Sequence, residues 1–171
     1  AKVFEELIRY SHEQNLSLFA EDSGENVSKL RASLQKLDIC GMKIFRFALD
    51  EKKGKINSNY GDCRSYPQNT VAYTTTHDTE TLLGYITRLT KPQKQILASV
   101  SKTSYISDNK KFAKKLRDKI IVSPAHTIII PIQDWLLITD RINIPGTERP
   151  INDPNWQFRI PVAIEKLPAD L

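Results

Sequence analysis

The sequence predicts an α/β fold built on a parallel sheet, because strand-like and helix-like segments alternate along the chain. Four short segments have the β-branched and aromatic composition of strands, and apolar residues recur at helical spacing between them. No glycine-rich phosphate loop follows a strand, which leaves an open doubly wound sheet as the weaker alternative. A complete eight-stranded α/β barrel needs about 250 residues. The 171 residues therefore predict half of such a barrel.

Two helices and two strands are predicted before residue 50. The opening helix has one apolar face, formed by Val3, Phe4, Leu7 and Ile8. It leads to a short strand at Ser17–Ala20. Leucine or valine at positions 27, 30, 34 and 37 then marks a second amphipathic helix. The second strand is predicted at Met42–Leu49, and a long polar loop follows it.

The third strand is predicted at Val71–Thr76, and a helix through residues 82–89 follows it. Thr90 and Pro92 form a start signal for the next helix.

The last part of the chain predicts a fourth strand and a tail. The strand, Thr127–Ile132, is almost continuously apolar, as buried parallel strands are. A further helix begins at Gln133. Residues 141–171 contain five prolines, and we expect them to form a C-terminal tail packed on the barrel rather than a separate domain.

The net charge of +5 and the sequence pI near 9.2 are compatible with nucleic-acid binding. Much of the basic excess lies in residues 109–119, where basic and apolar side chains alternate. Phe112, Leu116 and Ile120 have helical spacing, so we interpret the lysines as the solvated face of a helix. No nucleic-acid motif accompanies them, and we expect no nucleic-acid partner.

The sequence also argues against a membrane or metal protein. No apolar run approaches the roughly 20 residues that span a bilayer. The first ten residues contain acidic side chains where a signal peptide is apolar. We therefore expect no membrane partner and a cytoplasmic location. Cys40 and Cys63 lack metal-ligand spacing, so we expect no metal site.

Acidic residues directly follow two of the predicted strands. Glu21 and Asp22 come after the first strand, and His77 and Asp78 come after the third. The reacting groups of α/β barrels lie at this end of the strands, so we expect these side chains to share one site. The alternative for Asp78 is that it caps a helix beginning near Thr79, because Asp is a preferred N-cap.

Six blocks of the sequence, in order, resemble motifs of glycoside hydrolase family 77, the 4-alpha-glucanotransferases. AEDSG at residues 20–24 is similar to AEDLG, and the blocks at 41–50 and 73–85 are similar to PGMKV..FAFD and YTGTHDNDTTLGW. Downstream, IPIQDWL, RINIPGT and NWQFR resemble FPLQDLL, ARMNTPGT and NWRWRL. The resemblance covers about residues 19–159. It implies the C-terminal half of a (β/α)8 barrel, about strands five to eight.

The resemblance implies roles for the residues at the strand ends. Glu21 matches the general acid/base after the fifth barrel strand, and Asp78 matches the carboxylate after the seventh strand that stabilises the transition state. His77 would bind hydroxyls of the transferred sugar. Cleaving a glycosidic bond needs a protonated acid at the leaving oxygen and a negative charge near the oxocarbenium-like carbon. We expect burial of Glu21 to favour its protonated form.

The resemblance also implies further residues that contact the substrate. For each of them a structural role is the alternative. Asp22 either touches substrate or caps the turn at Gly24. The other candidates are polar or aromatic residues of the downstream blocks: Gln133, Asp134, Asn143, Asn155 and Trp156. Tryptophan stacks on sugar rings, although it is more often partly buried core.

One element of the family's chemistry is absent from this sequence. A retaining enzyme needs a nucleophilic carboxylate about 5–5.5 Å from the acid/base. In the family it lies in an Arg-x-Asp-His segment on the fourth strand, and these 171 residues contain no such segment. The implied partners are therefore the N-terminal half of the barrel and an α-1,4-glucan or maltooligosaccharide. No metal or organic cofactor is implied.

The resemblance implies a 4-alpha-glucanotransferase that moves an α-1,4-glucan segment to the 4-hydroxyl of an acceptor by retaining double displacement. One alternative is an α-glucan hydrolase on a similar barrel, which would increase the number of reducing ends. Another is a non-catalytic glucan-binding protein, whose affinity would survive Glu21→Gln and Asp78→Asn.

We expect the isolated chain to have no transferase activity, because it lacks the nucleophile. The measurement is incubation with maltotriose, followed by separation of the products by length. Longer and shorter maltodextrins among the products would contradict this expectation.

Overall fold

The computed structural model describes residues 2–23, 27–51, 53–151 and 153–167. Within these ranges the α-helices are α1 (Lys2–Glu13), α2 (Ser28–Lys36), α3 (Ser58–Gly61), α4 (Leu82–Arg88), α5 (Lys91–Val100), α6 (Asn109–Ile121) and α7 (Ile132–Leu136). The strands are β1 (Gly41–Ile44), β2 (Leu49–Asp50), β3 (Lys55–Ile56), β4 (Thr70–Tyr73) and β5 (Thr127–Ile129). Short 3-10 helices lie at Phe45–Ala48, Cys63–Ser65 and Ile164–Lys166. The predicted tail's last residues, 168–171, lie outside the described ranges.

The main sheet is parallel, with strand order β1-β4-β5. Gly41 pairs with Thr70, and Tyr73 pairs with Ile129. A parallel bridge between Phe19 and Cys40 extends the sheet beyond β1. Neighbours in the sheet therefore follow chain order, and the carboxyl ends of all these segments meet at one edge. The predicted α/β class with a parallel sheet is confirmed.

The strands are shorter than the composition predicts. Ser17–Ala20 contributes only the single bridge at Phe19. The predicted strand Met42–Leu49 ends at Ile44, where the chain turns into the 3-10 helix. Phe45 and Ala48 are three residues apart, which places both on one side of a 3-10 helix, and both are fully buried. A mostly apolar run of this length does not distinguish the two conformations.

The third and fourth predicted strands also end early. β4 stops at Tyr73, and the hydroxyls of the next two residues, Thr74 and Thr75, donate to the Asp134 carboxylate. β5 stops at Ile129, shortly before Pro131, which has no N–H to donate to a sheet. α7 begins directly after this proline, one residue earlier than predicted.

The helices follow their capping signals. Thr90 and Gln93 form the capping box that opens α5, which confirms the predicted start. The alternative in which Asp78 caps a helix is wrong. α4 begins at Leu82, and its cap is Thr81, whose hydroxyl accepts from the Gly84 N–H (3.2 Å).

The core lies between the sheet and helices α3 to α6. Phe112, Leu116 and Ile120 on α6 are fully buried against it, as their spacing predicts. Of the five α6 lysines, Lys110, Lys111 and Lys114 are exposed and the other two are half-buried. The apolar face of α1 is different, because Val3 and Leu7 are 72% and 48% exposed. Within the described ranges no helix has the length and apolar character of a membrane span.

We expect Leu116→Ala to lower the free energy of unfolding by about 2–5 kcal/mol, because it removes a fully buried side chain and leaves a cavity. The control is Val122→Ala, whose side chain is 72% exposed and whose loss should change stability by less than about 0.5 kcal/mol. Chemical denaturation measures both values. Equal losses for the two variants would contradict the described core.

Candidate active site

A cleft of about 770 Å³ lies at the carboxyl edge of the parallel sheet. Its floor includes the last residue of each main strand, Ile44, Tyr73 and Ile129. Glu21 and the pair His77 and Asp78 line the same cleft from separate segments of the chain. The structure thus brings together three of the four side chains that were predicted to share one site.

Glu21 follows the sheet's first segment, where the Ala20 N–H donates to the Cys40 carbonyl (2.9 Å). Its carboxylate is exposed and accepts a hydrogen bond from the Ser23 hydroxyl (2.8 Å). The expected burial of Glu21 is therefore wrong for this chain. Tyr73 lies close by, and both its own burial and the charge of Glu21 raise the pKa of its phenol.

Asp22 does not line the cleft and is buried. Its Oδ1 accepts from the Met42 N–H (2.8 Å), and its Oδ2 accepts from Arg31 Nε (3.0 Å). Arg31 also donates to the Asp22 carbonyl (2.7 Å). A Cβ on Gly41 would lie 3.1 Å from Asp22 Oδ2, so a larger residue at this position would crowd the carboxylate. Asp22 therefore fixes the segment that presents Glu21, and Gly24 lies outside the described residues.

Asp78 is half-exposed and held from three sides. His77 Nε2 lies 3.3 Å from its Oδ2, and Asn143 Nδ2 donates to its Oδ1 (2.6 Å). Arg141 donates to its carbonyl (2.9 Å). The ring of Trp156, which is 62% exposed, lies 5.2 Å from the ring of His77. Asn143 and Trp156 therefore contact the predicted site residues directly.

The remaining predicted contacts lie deeper in the protein. Asp134 is fully buried and accepts from the hydroxyls of Thr74 (2.5 Å) and Thr75 (2.6 Å) and from the Leu82 N–H (2.7 Å). Burial raises the pKa of Asp134, although these donors oppose the shift. Gln133 is also buried.

Asn155 is buried and supports the loop around Asn143. Its Oδ1 accepts from the Ile144 N–H (2.8 Å), and its Nδ2 donates to the Thr147 hydroxyl (3.3 Å). The described walls of the cleft do not include Gln133, Asp134 or Asn155. Asp134 and Asn155, through these hydrogen bonds, support the site from behind.

Sequence reasoning missed a group of four charged residues, Arg46, Glu51, Glu80 and Arg88. One of them, Glu80, directly follows the cleft residues 77–79 in the chain. We call the group the Arg46 cluster. Arg46 donates to Glu80 (2.7 Å) and to Glu51 (2.8 Å), and Arg88 donates to both carboxylates. Burial alone would raise the pKa of Glu80, but the hydrogen bonds and charges of the two arginines lower it to about 2. The one sequence feature that could have indicated this cluster is Arg46 itself, an arginine inside the mostly apolar segment 42–49.

Within the described ranges, no three His, Cys, Asp or Glu side chains converge to hold a metal ion. The polar groups that line the cleft are carboxylates, hydroxyls and an imidazole.

The fold and the cleft define a parallel α/β protein with a candidate active site at the carboxyl ends of its strands. The family model for glycoside hydrolase family 77, 4-alpha-glucanotransferase, matches residues 1–164. The chain belongs to this family. The family resemblance of the sequence motifs is thereby confirmed.

Individual relatives agree with the family match. The chain is 32% identical to a chloroplastic/amyloplastic 4-alpha-glucanotransferase of Solanum tuberosum over 151 residues, covering 85% of this chain and 24% of that protein. It is 29% identical to the 4-alpha-glucanotransferase of Thermus thermophilus, covering 84% of this chain and 28% of the relative. Amylomaltase from Streptococcus agalactiae in complex with acarbose superposes with a TM-score of 0.73 at 26% identity, covering 97% of this chain and 32% of that one. The chain thus spans about a quarter of the length of the curated relatives it matches.

We expect Glu80→Gln to lower the melting temperature by about 3–6 °C at pH 7, because it removes the charge that Arg46 and Arg88 share. The folded-state pKa of Glu80, about 2, lies below its ordinary value of 4.5. Its stabilising contribution is therefore complete above pH 4.5 and is lost as the pH falls towards 2. The difference between the two proteins should shrink over that range.

The measurement is thermal unfolding at several pH values. Glu6→Gln is the matched control, because Glu6 also pairs with an arginine but lies on the exposed surface of α1. A difference between Glu80→Gln and the unmodified chain that stays constant from about pH 7 to about pH 2.5 would contradict the assignment.

Proposed function

We propose that this chain forms the C-terminal half, about strands five to eight, of the (β/α)8 barrel of a 4-alpha-glucanotransferase. The whole enzyme would transfer an α-1,4-glucan segment to the 4-hydroxyl of an acceptor glucan or glucose. The observation that carries this proposal is that Glu21 and Asp78 line one cleft at the carboxyl edge of the sheet. Family membership and the order of the parallel strands support it.

Glu21 acts as the general acid/base in this proposal. Its exposed carboxyl group borders the cleft, where it can reach the oxygen of a bound glycosidic bond. In the first step it gives its proton to the leaving oxygen, and the donor sugar becomes bonded to the nucleophile. In the second step Glu21 takes the proton of the incoming 4-hydroxyl, whose oxygen bonds to the donor sugar while the bond between that sugar and the nucleophile breaks.

Asp78 supplies negative charge beside the carbon that becomes oxocarbenium-like. Asn143 and His77 contact its two oxygens and so fix the direction of the carboxylate. The same His77 and the exposed ring of Trp156 offer a polar and an aromatic surface to a sugar. Preorganised charge of this kind lowers the barrier because little reorganisation is needed during the reaction.

The nucleophile would come from the N-terminal half of the barrel, which is the proposed partner of this chain. The exposed apolar side chains of α1 and of Phe19, at the sheet edge, support such a partner. Their burial would stabilise the assembled barrel by removing apolar surface from water. An α-1,4-glucan or maltooligosaccharide is the proposed substrate.

A chimera tests the proposal. This chain replaces the segment that it superposes on in Streptococcus agalactiae amylomaltase. We expect the chimera to convert maltotriose into longer and shorter maltodextrins. Glu21→Gln and Asp78→Asn should each lower kcat by about 10²–10⁴-fold, because each removes a group that acts in the transition state.

The matched control in the chimera is Glu6→Gln, an exposed charge of α1 whose loss should leave kcat unchanged. A folded, active chimera that retains its kcat after Glu21→Gln or after Asp78→Asn would refute the assigned roles. An increase in reducing ends without redistribution of chain length would instead identify a hydrolase.

A further inference from the structure

The Arg46 cluster contacts the segment that carries Asp78 at two points. The Arg46 backbone N–H donates to the Thr74 carbonyl (3.0 Å), at the end of β4. The Arg46 guanidinium donates to Glu80 (2.7 Å), two residues after Asp78. One residue therefore bridges both ends of the segment 74–80.

The guanidinium of Arg46 is itself fixed in place. It lies over the ring of Tyr85, with Cζ 4.0 Å from the ring centroid, and its side chain is only 15% exposed. Glu51 accepts a second hydrogen bond from it (2.8 Å). A planar guanidinium that is stacked and doubly bonded has little freedom to reorient. The orientation of Glu80 is set by this fixed group.

The residues between the two contact points form a closed turn. The Thr79 N–H donates to the Thr76 carbonyl (3.2 Å), and the Thr79 hydroxyl accepts from the Thr76 N–H (3.1 Å). His77 and Asp78 lie at the tip of this turn. Because these two hydrogen bonds hold Thr76 and Thr79 together, we expect a displacement of Glu80 to move Asp78 as well.

We propose that Arg46 and Glu80 are positioning residues that hold the turn 76–79, so that Asp78 keeps its hydrogen bond to Asn143 and its direction into the cleft. The role of Asp78 towards glucan rests on the proposed function. The placement of Asp78 does not rest on the proposed function, because it is defined by contacts within the protein alone.

The chain offers two matched comparisons for Glu80→Gln. Glu51→Gln makes the same chemical change inside the Arg46 cluster, but Glu51 lies on the neighbouring loop and not on the turn. Glu6→Gln makes the same chemical change in an exposed ion pair between a glutamate and an arginine on α1. Glu80→Asp keeps the charge at the turn and serves as the conservative variant.

The first measurement is NMR of the chain without any ligand. The reporters are the side-chain amide of Asn143 and the ring of His77, both in contact with Asp78. His12 on α1 and His126 before β5 are internal controls in the same spectra. We expect Glu80→Gln to move the Asn143 and His77 signals while His12 and His126 stay in place.

The second measurement is titration of the chimera described above with acarbose, since the proposed glucan site needs both halves of the barrel. Tryptophan fluorescence reports binding, because Trp156 lies beside His77. We expect Glu80→Gln to weaken binding by about tenfold, the value of one charged hydrogen bond to the ligand. Glu80→Asp and Glu6→Gln should each stay within about threefold of the unmodified chimera. Glu51→Gln should weaken binding less than Glu80→Gln does, because Glu51 reaches the turn only through Arg46.

The outcomes separate this inference from the proposed function. If the chimera does not redistribute maltotriose but Glu80→Gln moves the Asn143 and His77 signals of this chain, the positioning role stands and the proposed function fails. Unmoved signals in folded Glu80→Gln overturn the positioning role. Equal changes from Glu51→Gln, or changes at all three histidines, also overturn it, because they show a structural effect only.

If Glu80→Gln does not fold, Arg46→Lys supplies the same comparison, since lysine keeps the charge but cannot bridge two carboxylates in the same fork.

Discussion

The buried carboxylate of Asp134 is the interaction on which the site depends. A buried charge is tolerated only where hydrogen bonds compensate its lost hydration. Asp134 meets this condition with two donors from the end of β4, Thr74 and Thr75, and one from the start of α4, Leu82. It therefore holds together the two ends of the excursion that carries His77 and Asp78. Removing any of these donors would leave the buried carboxylate without enough hydrogen bonds. The bonds that allow Asp134 to be buried therefore also hold residues 74–82 in place.

This arrangement divides the site into a buried support and an exposed working surface. Asp22 and Asp134 are buried acids whose oxygens are occupied by the protein's own donors. Glu21 and Asp78, their close neighbours in the fold, are open to the cleft. On an extended segment successive side chains point to opposite sides, which explains why Glu21 and Asp22 differ so sharply in burial. Of the adjacent acids Glu21 and Asp22, one is therefore open to the cleft and the other is held by the protein's own donors.

The sequence was sufficient for the fold class, the start of α5 and the meeting of Glu21 with Asp78, because these follow from periodicity, capping and the geometry of parallel strands. It was insufficient for the strand ends. The run from Met42 to Leu49 has strand composition, yet it turns into a 3-10 helix at Phe45, and only contacts distant in sequence decide this. The Arg46 cluster was hidden for the same reason, since Arg46 and Glu80 are 34 residues apart. The roles of Asp134 and Asn155 as supports were also invisible, because polarity in sequence does not reveal burial.

The exposure of Glu21 bears on how the complete site would work. A general acid keeps its proton more readily in apolar surroundings, and the residues that the structure describes do not enclose Glu21. In the proposed enzyme the enclosure would come from the other side of the cleft, from a bound glucan and the N-terminal half of the barrel. The open side of the cleft and the exposed side chains of α1 and Phe19 are consistent with a surface completed by another part of the protein. Assembly of the barrel would in this way supply both the nucleophile and the environment in which Glu21 acts as an acid.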